Sequence, residues 1–222
     1  MYLVVIRHAE SEKNTNTQFS SEYDLEDLTD FGRQQANNLG KHLKEFIGAN
    51  NLTCNNIYAA NSTRSIETAK IISSYLENKV IVEDDLRSTR PGSLAGKSEK
   101  EAMLTNPLFI EQLYLFRHGL FNAYDFKVAE GKESKKEFEK RVNGCIDKIL
   151  NDKSENFKVI IAHRSSITTI LLEFAKLYYN YPKNFSGHIP LNLGFFSILQ
   201  QKNDCTWKIL KVNSEISTIQ NL

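Results

Sequence analysis

The chain has 222 residues, of which 41% are hydrophobic and 25% are charged; this balance is typical of a globular protein and excludes a disordered or low-complexity one. Lys and Arg total 28 against 27 for Asp and Glu, leaving a formal net charge of +1, so the overall field attracts a polyanion little and we expect no nucleic-acid partner. Cys54, Cys145 and Cys205 form no CxxC pair, which argues against a disulfide framework and a zinc site. The sequence has no apolar run long enough for a signal sequence or membrane span, so we expect a cytoplasmic protein without a membrane partner.

Short apolar runs alternate with amphipathic segments along the chain. Strands are predicted, in chain order, over 2–6, 55–60, 80–82, 158–162, 195–199 and 207–212. Helices are predicted after Thr29, after Asn61 or Ser62, and after His163, because apolar residues recur there at helical spacing. This alternation indicates a layered α/β fold with a mostly parallel sheet, in a single domain over 1–222.

Residues near 93–140 interrupt the alternation. A helical pattern over 100–116 leads into an aromatic stretch over 116–126 and a charged one over 132–141. We interpret this segment as an inserted helical lobe. The charge run over 132–140 is predicted to be an exposed helix face.

Cationic and imidazole side chains follow the predicted strands where each strand ends. Arg7 and His8 follow the first strand, Arg64 lies in the opening turn of the helix after the second, and His163 follows 158–162. Ligands of open α/β sheets bind beyond the carboxyl ends of the strands, so we expect these side chains to meet there. Two guanidinium groups and two imidazoles at one edge repel unless an anion lies between them, and guanidinium donors match phosphate oxygens. The pattern predicts a phosphate site.

Several motifs accompany these four residues in a fixed order. Arg7-His8-Ala9-Glu10 comes first, with Asn14 shortly after it. The later motifs are Leu28-Thr29 with Gly32 and Ala36, Arg64 with Thr68-Ala69, Glu133-Ser134 with Arg141, and His163 after its apolar strand. Together they resemble the RHG-E signature and the further motifs of the histidine phosphatase superfamily, also called phosphoglycerate mutase-like, over nearly the whole chain. The expected architecture is then a three-layer α/β/α fold with a mostly parallel central sheet and the inserted lobe.

The resemblance implies a role for each matching residue. His8 is the expected nucleophile, which attacks phosphorus and forms a phosphohistidine that water hydrolyses. Arg7, Arg64 and His163 are expected to hold the non-bridging oxygens and to stabilise charge in the transition state. Asn14 is expected in the pocket wall as a substrate-binding residue. No metal and no other cofactor is expected.

The chain departs from the family pattern at three positions. The family usually places a glutamate general acid where this chain has Ser88, and serine is a poor proton donor. Either another carboxyl substitutes, with Glu83, Asp84 and Asp85 nearest in sequence, or the leaving group needs little help. Ala9 replaces the usual glycine, which is a small change. Arg164 stands where a small residue usually follows the second histidine, and it either binds a second anionic group of the substrate or pairs with a nearby carboxylate.

Other histidines have simpler interpretations. Arg117-His118-Gly119 repeats the RHG letters, but it lacks both a following glutamate and a preceding buried strand. We therefore assign it to lobe packing or substrate contact rather than to catalysis. His42 lies among lysines and is expected in solvent. His188 lies in a loop from which it is able to face the pocket.

The leading hypothesis is a metal-independent phosphatase that hydrolyses phosphomonoesters through a covalent phosphohistidine at His8. One alternative is phosphoryl transfer of the phosphoglycerate mutase type. Another is a non-catalytic phosphate-binding or scaffold protein that has lost its general acid. The expected partner is a small phosphorylated substrate or a phosphoprotein, and homodimerisation is left open.

Overall fold

Six strands form one central sheet in the computed structural model, which describes residues 1–15, 25–122, 130–180, 182 and 187–221. The strands are β1 Tyr2–Arg7, β2 Asn56–Ala60, β3 Lys79–Glu83, β4 Phe157–Ala162, β5 Phe196–Gln201 and β6 Trp207–Ser214. Their order across the sheet is β3-β2-β4-β1-β5-β6. Strands β3, β2, β4 and β1 run parallel, and β5 and β6 add two antiparallel pairings at one edge. The predicted mostly parallel α/β fold is confirmed.

Seven α-helices lie within the described residues. They are α1 Glu12–Thr15, α2 Asp30–Ala49, α3 Thr63–Leu76, α4 Glu99–Thr105, α5 Pro107–Arg117, α6 Lys135–Asn151 and α7 Arg164–Tyr178. Thr29 caps α2 by accepting from the Gly32 N–H, and Ser62, rather than Asn61, caps α3 by accepting from the Ser65 N–H. Such caps satisfy donors that have no partner within the helix, and they begin both helices at their predicted positions. In the described part of the chain, no helix combines the length and apolar character needed to cross a membrane.

The sheet is covered on both faces. Alternate side chains of β1, such as Leu3 and Val5, join a buried cluster with α6 and α7. The intervening Val4 and Ile6 pack with α2 and α3 on the opposite face. Because successive strand residues point to opposite faces, the continuous apolar runs of β1 and β4 supply both cores. This arrangement gives the three layers.

The predicted helix over 100–116 is two helices, which corrects that interpretation. Helix α4 ends at Thr105 and α5 begins at Pro107. Proline lacks the N–H that a continuing helix needs, and it disfavours helical geometry at the preceding Asn106, which has φ −141° and ψ 58°. The two helices pack around a small hydrophobic cluster that is separate from the clusters on the sheet. It consists of Leu94, Ala102, Phe109 and Ile110. Part of the predicted aromatic stretch, 123–126, lies outside the described residues.

The charge run over 132–140 is not simply an exposed face, because from Lys135 onward it belongs to a helix that packs on the sheet. Helix α6 begins at Lys135, and its Phe138 is 2% exposed within the sheet-facing core. Lys135 donates to the Thr169 hydroxyl at 2.9 Å and lies 3.4 Å from the Glu139 carboxylate. Periodic burial of one helix face explains the difference, because the apolar residues between the charges lie on a single side.

Candidate active site

The site lies at the carboxyl ends of three neighbouring parallel strands. Arg7 is the last residue of β1, with His8 directly after it, and His163 directly follows β4. Arg7 is paired with Ala162 in the register of β1 and β4. The next residue of each strand, His8 and His163, therefore leaves the same edge side by side. Arg64 reaches this edge from the first turn of α3, which follows β2.

The structure brings three of the predicted residues into direct contact. Arg64 Nε donates to His8 Nε2 at 3.3 Å, and Arg64 Nη2 lies 3.4 Å from His163 Nδ1. The two imidazole centroids are 5.2 Å apart. His8, Arg64 and His163 are 3%, 3% and 4% exposed. One guanidinium group therefore bridges two imidazoles in a buried setting.

The hydrogen bonds of His8 select its tautomer. Its Nδ1 lies 2.8 Å from the carbonyl oxygen of Ala9. A carbonyl only accepts, so Nδ1 carries the proton and Nε2 keeps a lone pair. The Arg64 contact agrees, because a guanidinium group only donates. Nε2 is thus the nitrogen of the neutral ring that keeps its lone pair.

Burial lowers the pKa of both imidazoles well below the ordinary value of 6.5, because a buried site penalises the charged form. For His8 the next causes are the charges of Arg64 and Arg7, and the hydrogen bond to Ala9 opposes them. For His163 the next cause is the charge of Arg64. Both rings are neutral at pH 7, the form in which His8 is able to attack.

Arg7 lies beside this group and is anchored by the chain that enters β5. Its Nη1 donates to the Leu191 carbonyl. Burial, followed by the charges of Arg164 and Arg64, lowers the pKa of Arg7 to about 10. The guanidinium group still carries its charge at pH 7. Arg7 and Arg64 therefore place two positive charges beside His8.

The chain after His8 is held against α2 and α3. The Ala9 N–H donates to the Thr68 hydroxyl at 3.2 Å, and the Glu10 N–H donates to Gln35 Oε1 at 2.9 Å. The Thr29 hydroxyl donates to the Glu10 carboxylate at 2.8 Å. These bonds position Ala9, whose carbonyl sets the His8 tautomer.

The side chain of Asn14 contacts the nearby Ser11. Its Oδ1 accepts from the N–H and the hydroxyl of Ser11, at 3.0 and 2.8 Å. These bonds stabilise the turn after the RHG-like motif. The substrate-binding role of Asn14 stays a prediction.

Two charged residues near the site were missed by the sequence reasoning. The charge of Lys13 acts on His8 and His163, and Glu26 Oε2 lies 3.4 Å from Arg64 Nη1. Both occur in polar segments whose pattern resembles that of any solvated stretch. No local signal distinguished them.

Ser88, at the position where the family resemblance implies a glutamate, lies beside the start of α7. Its hydroxyl is 3.2 Å from that of Ser165. Arg141 holds the surrounding loop by donating to the carbonyls of Arg87 and Ser88 at 3.1 and 3.0 Å, while Glu133 holds Arg141 at 2.7 Å. The motif pair Glu133 and Arg141 thus supports the loop.

The three acidic residues nearest Ser88 in sequence differ in their surroundings. Glu83 pairs with Lys148 of α6 at 3.1 Å. Asp84 lies 3.6 Å from Arg87 and accepts from Asn61 at 3.2 Å. Asp85 interacts electrostatically with the buried Cys145 of α6. Glu83 is therefore paired with α6, and Asp85 is close enough to α6 for its charge to act on Cys145.

The second RHG triplet lies at the end of α5. Arg117 pairs with Glu99 at 2.7 Å, and His118 Nδ1 lies 2.8 Å from the Tyr114 carbonyl. His118 is exposed, unlike the buried His8.

Another histidine, His42, lies on α2. It is half-buried, and its Nδ1 lies 3.6 Å from the Glu45 carboxylate.

The site combines an imidazole lone pair with fixed positive charge. His8 Nε2 supplies the lone pair, and Arg7 and Arg64 supply the charge in a setting from which water is largely excluded. A tetrahedral dianion suits such a site, because it offsets the repulsion between the cations. The geometry is able to support transfer of a phosphoryl group to nitrogen.

Comparison with known proteins finds relatives that are similar in sequence or in fold. A Hydrogenobacter thermophilus protein named "Putative phosphoserine phosphatase 2" is 28% identical over 170 residues, which is 76% of this chain and 76% of that protein. The structure of YhfR from Bacillus stearothermophilus has a TM-score of 0.77 at 21% identity and covers 96% of each chain. Mycobacterial glucosyl-3-phosphoglycerate phosphatase, solved with VO3, has a TM-score of 0.76 at 19% identity and covers 96% of this chain and 99% of that one.

The structural likenesses show a shared fold. The family assignment comes from a separate comparison, in which the model of the histidine phosphatase superfamily (branch 1) matches residues 3–215. That match includes Arg7, His8, Arg64 and His163. The chain therefore belongs to the histidine phosphatase superfamily, branch 1.

Proposed function

We propose that this chain is a phosphatase that hydrolyses phosphomonoesters through a phosphohistidine at His8. The family and the names of its relatives indicate a phosphatase or mutase activity. The observation that carries the finer proposal is the His8 tautomer: Nδ1 donates to Ala9, and Nε2 faces Arg64 with its lone pair. A buried, neutral imidazole beside two guanidinium groups suits nucleophilic attack on a phosphate dianion.

The proposed reaction has two steps. His8 Nε2 attacks phosphorus, an N–P bond forms, and the ester P–O bond breaks to release the alcohol oxygen with its electron pair. Water then attacks phosphorus, the N–P bond breaks and its electron pair returns to Nε2, so inorganic phosphate leaves and His8 is again neutral with its proton on Nδ1. The proton that the attacking water loses passes to solvent, and the oxygen released in the first step takes up a proton from solvent. Arg7, Arg64 and His163 stabilise the charge on the non-bridging oxygens in both transition states. Because guanidinium groups supply this positive charge, we propose that no metal ion is required and that EDTA leaves the rate unchanged.

Ser88 favours substrates with acidic leaving groups. A general acid contributes roughly 10²- to 10⁴-fold when the leaving alkoxide is basic, and Ser88 provides little such help. Glu83 is paired with Lys148 of α6, and Asp84 lies 3.6 Å from Arg87. We therefore propose that phosphohistidine, acyl phosphates and aryl phosphates are better substrates than alkyl phosphates. Equal rates on aryl and alkyl phosphates in the wild type contradict this preference.

The nucleophile is tested by trapping the covalent intermediate. The enzyme is mixed with ³²P-labelled aryl phosphate and the reaction is stopped rapidly without acid. The wild type is expected to retain a covalent label that acid removes. His8→Asn is expected to lose the label and at least about 10³-fold in kcat. His42→Asn removes a histidine of α2 outside the site and serves as the matched control. Label or turnover that survives His8→Asn places the nucleophile elsewhere.

The absence of a glutamate at position 88 also favours a second candidate, a phosphate-binding or scaffold protein. It predicts that the chain binds phosphate or vanadate but hydrolyses no monoester, aryl phosphates included. Incubation with 3-phosphoglycerate and a bisphosphate primer distinguishes the mutase alternative, since a mutase yields the 2-isomer and a phosphatase yields free phosphate.

A further inference from the structure

Arg164 is a cation beside the site that the proposed phosphoryl transfer does not use. It is the first residue of α7 and directly follows His163. Its guanidinium group makes no hydrogen bond or ion pair within the described ranges 1–15, 25–122, 130–180, 182 and 187–221. The side chain is solvent-accessible, yet burial by neighbouring groups, followed by the charge of Arg117, lowers its pKa. Arg164 is therefore a partly desolvated charge at the edge of the site.

Two further groups approach Arg164 from other parts of the chain. Arg117 lies at the end of α5, and His188 lies on the segment leading to β5. These two elements meet where the rings of Phe116 and His188 pack edge to face, with centroids 5.6 Å apart and planes at 82°. After burial, the charges of Arg164, Arg117 and Arg7 lower the pKa of His188 to about 4. Three elements thus bring their polar groups to one place next to Arg7.

The charge balance of this cluster is unfavourable without an anion. Arg117 has a counter-charge, Glu99, at 2.7 Å, and Arg164 has none of its own among the described residues. Like charges in a partly desolvated setting repel, and such a cost is offset when an anion binds between them. The charge of Arg164 acts on Arg7, at the proposed phosphate site, and on His188, and the charge of Arg117 acts on Arg164.

We propose that Arg164, together with Arg117 and His188, forms a subsite for a second anionic group on a small phosphorylated substrate. This inference rests on the proposed function and narrows its substrate class. The second group is a carboxylate or a second phosphate, since both match the planar donors of a guanidinium group. Combined with the leaving-group preference, the favoured substrates are aryl or acyl phosphates that carry such a group near the ester.

Matched aryl phosphates test this subsite. The substrates are 3-carboxyphenyl phosphate, its neutral analogue 3-carbamoylphenyl phosphate, and 1,3-phenylene bisphosphate. The measured quantity is the ratio of kcat/KM for each anionic substrate to that for the carbamoyl substrate. Comparing this ratio between variants cancels the intrinsic difference between leaving groups. We expect Arg164→Gln to lower the ratio roughly 10- to 100-fold, the effect of losing one charge-assisted contact.

The variants separate the subsite from general electrostatics. Arg117→Gln is expected to lower the same ratio by a smaller factor, because Glu99 already engages Arg117. Arg164→Lys keeps the charge but loses the planar donors, and an intermediate ratio is expected. Lys44→Gln removes one charge from an exposed position on α2 and is expected to leave the ratio unchanged. A ratio that Arg164→Gln does not alter overturns the proposal, and so does an equal drop in Lys44→Gln.

A binding measurement keeps the test independent of turnover. Calorimetry with 3-carboxyphenyl and 3-carbamoylphenyl phosphate is performed on His8→Asn, with and without Arg164→Gln. Selective loss of affinity for the carboxylated ligand supports the subsite even if the proposed hydrolysis fails. Equal affinities for both ligands overturn the subsite and leave the phosphatase proposal standing. If Arg164→Gln affects 3-carboxyphenyl phosphate and 1,3-phenylene bisphosphate by different factors, the larger effect identifies the anion that the subsite prefers.

Discussion

Each buried histidine of the site is neutral because of what surrounds it, and this neutrality makes stability depend on pH. Burial and the charge of Arg64 hold the pKa values of His8 and His163 well below 6.5. In the unfolded chain both histidines take up a proton near pH 6.5, so below that pH the unfolded state binds more protons than the folded state. The free energy of unfolding therefore falls as the pH drops below about 6.5.

We expect urea denaturation at pH 7, 6 and 5 to show this loss. Each of the two histidines contributes up to about 1.4 kcal/mol per pH unit between its folded pKa and 6.5. His163→Gln is expected to reduce the slope of unfolding free energy against pH. His118→Gln removes an exposed histidine and is the control. A slope in His163→Gln equal to that of the wild type contradicts the electrostatic account.

Ser88 allows a prediction of gained activity. Ser88→Glu places a carboxylic acid in the loop that Arg141 holds beside α7. We expect kcat on alkyl phosphates to rise by about 10²-fold or more, and kcat on aryl phosphates to change much less, because only basic leaving groups need a proton. Ser88→Gln has a similar shape without the acidic proton. The same gain in both variants shows that the effect does not come from proton transfer.

The ends of the strands were predictable from the sequence, but which strands lie side by side was not. Local apolar patterns located β1 and β4, and the residues after them followed directly. The adjacency of His8 and His163 depends on pairing between strands about 150 residues apart in the sequence, which local pattern does not contain. The rule that ligands of open α/β sheets bind beyond the carboxyl ends of the strands supplied the expectation, and the family resemblance agreed with it. Glu26 reaches Arg64 through tertiary packing alone, which explains why it was missed.

The first turn of α2 packs closely against the backbone that follows His8. A Cβ added at Gly32 lies 1.9 Å from the carbonyl oxygen of Glu10, so the backbone after His8 has to move. We expect Gly32→Ala to destabilise the fold by about 1–3 kcal/mol through overpacking, although alanine is the better helix former. We also expect kcat to fall, since Glu10 is bonded to the residue whose carbonyl sets the His8 tautomer.

Gly48 provides a matched control in the same helix. A Cβ at Gly48 meets nothing within 4 Å. Gly48→Ala is therefore expected to be neutral or to stabilise by up to about 1 kcal/mol, with normal kcat. Thermal denaturation and aryl phosphatase rates check both variants. Equal behaviour of Gly32→Ala and Gly48→Ala argues against close packing of α2 on the loop.

Across the molecule as a whole, a net charge of only +1 conceals an uneven distribution. Arg7, Arg64 and Arg164 meet at one edge of the sheet, where their charges lower the pKa values of their neighbours. The two apolar layers that cover the sheet provide the free energy that holds these cations together. An anion that binds only the folded state is expected to add to that stability.

This coupling gives a prediction for the stability of the complete fold. At a phosphate or vanadate concentration of 100 times Kd, the free energy of unfolding is expected to rise by about 2.7 kcal/mol. For a chain of this size, that corresponds to roughly 5–10 °C in Tm.

Chloride at the same ionic strength controls for screening, and sulfate controls for general exclusion of salt from the surface. Arg64→Gln removes the guanidinium group that bridges His8 and His163 and is expected to lose most of the shift. A shift of the same size in Arg64→Gln means that the anion binds elsewhere on the molecule.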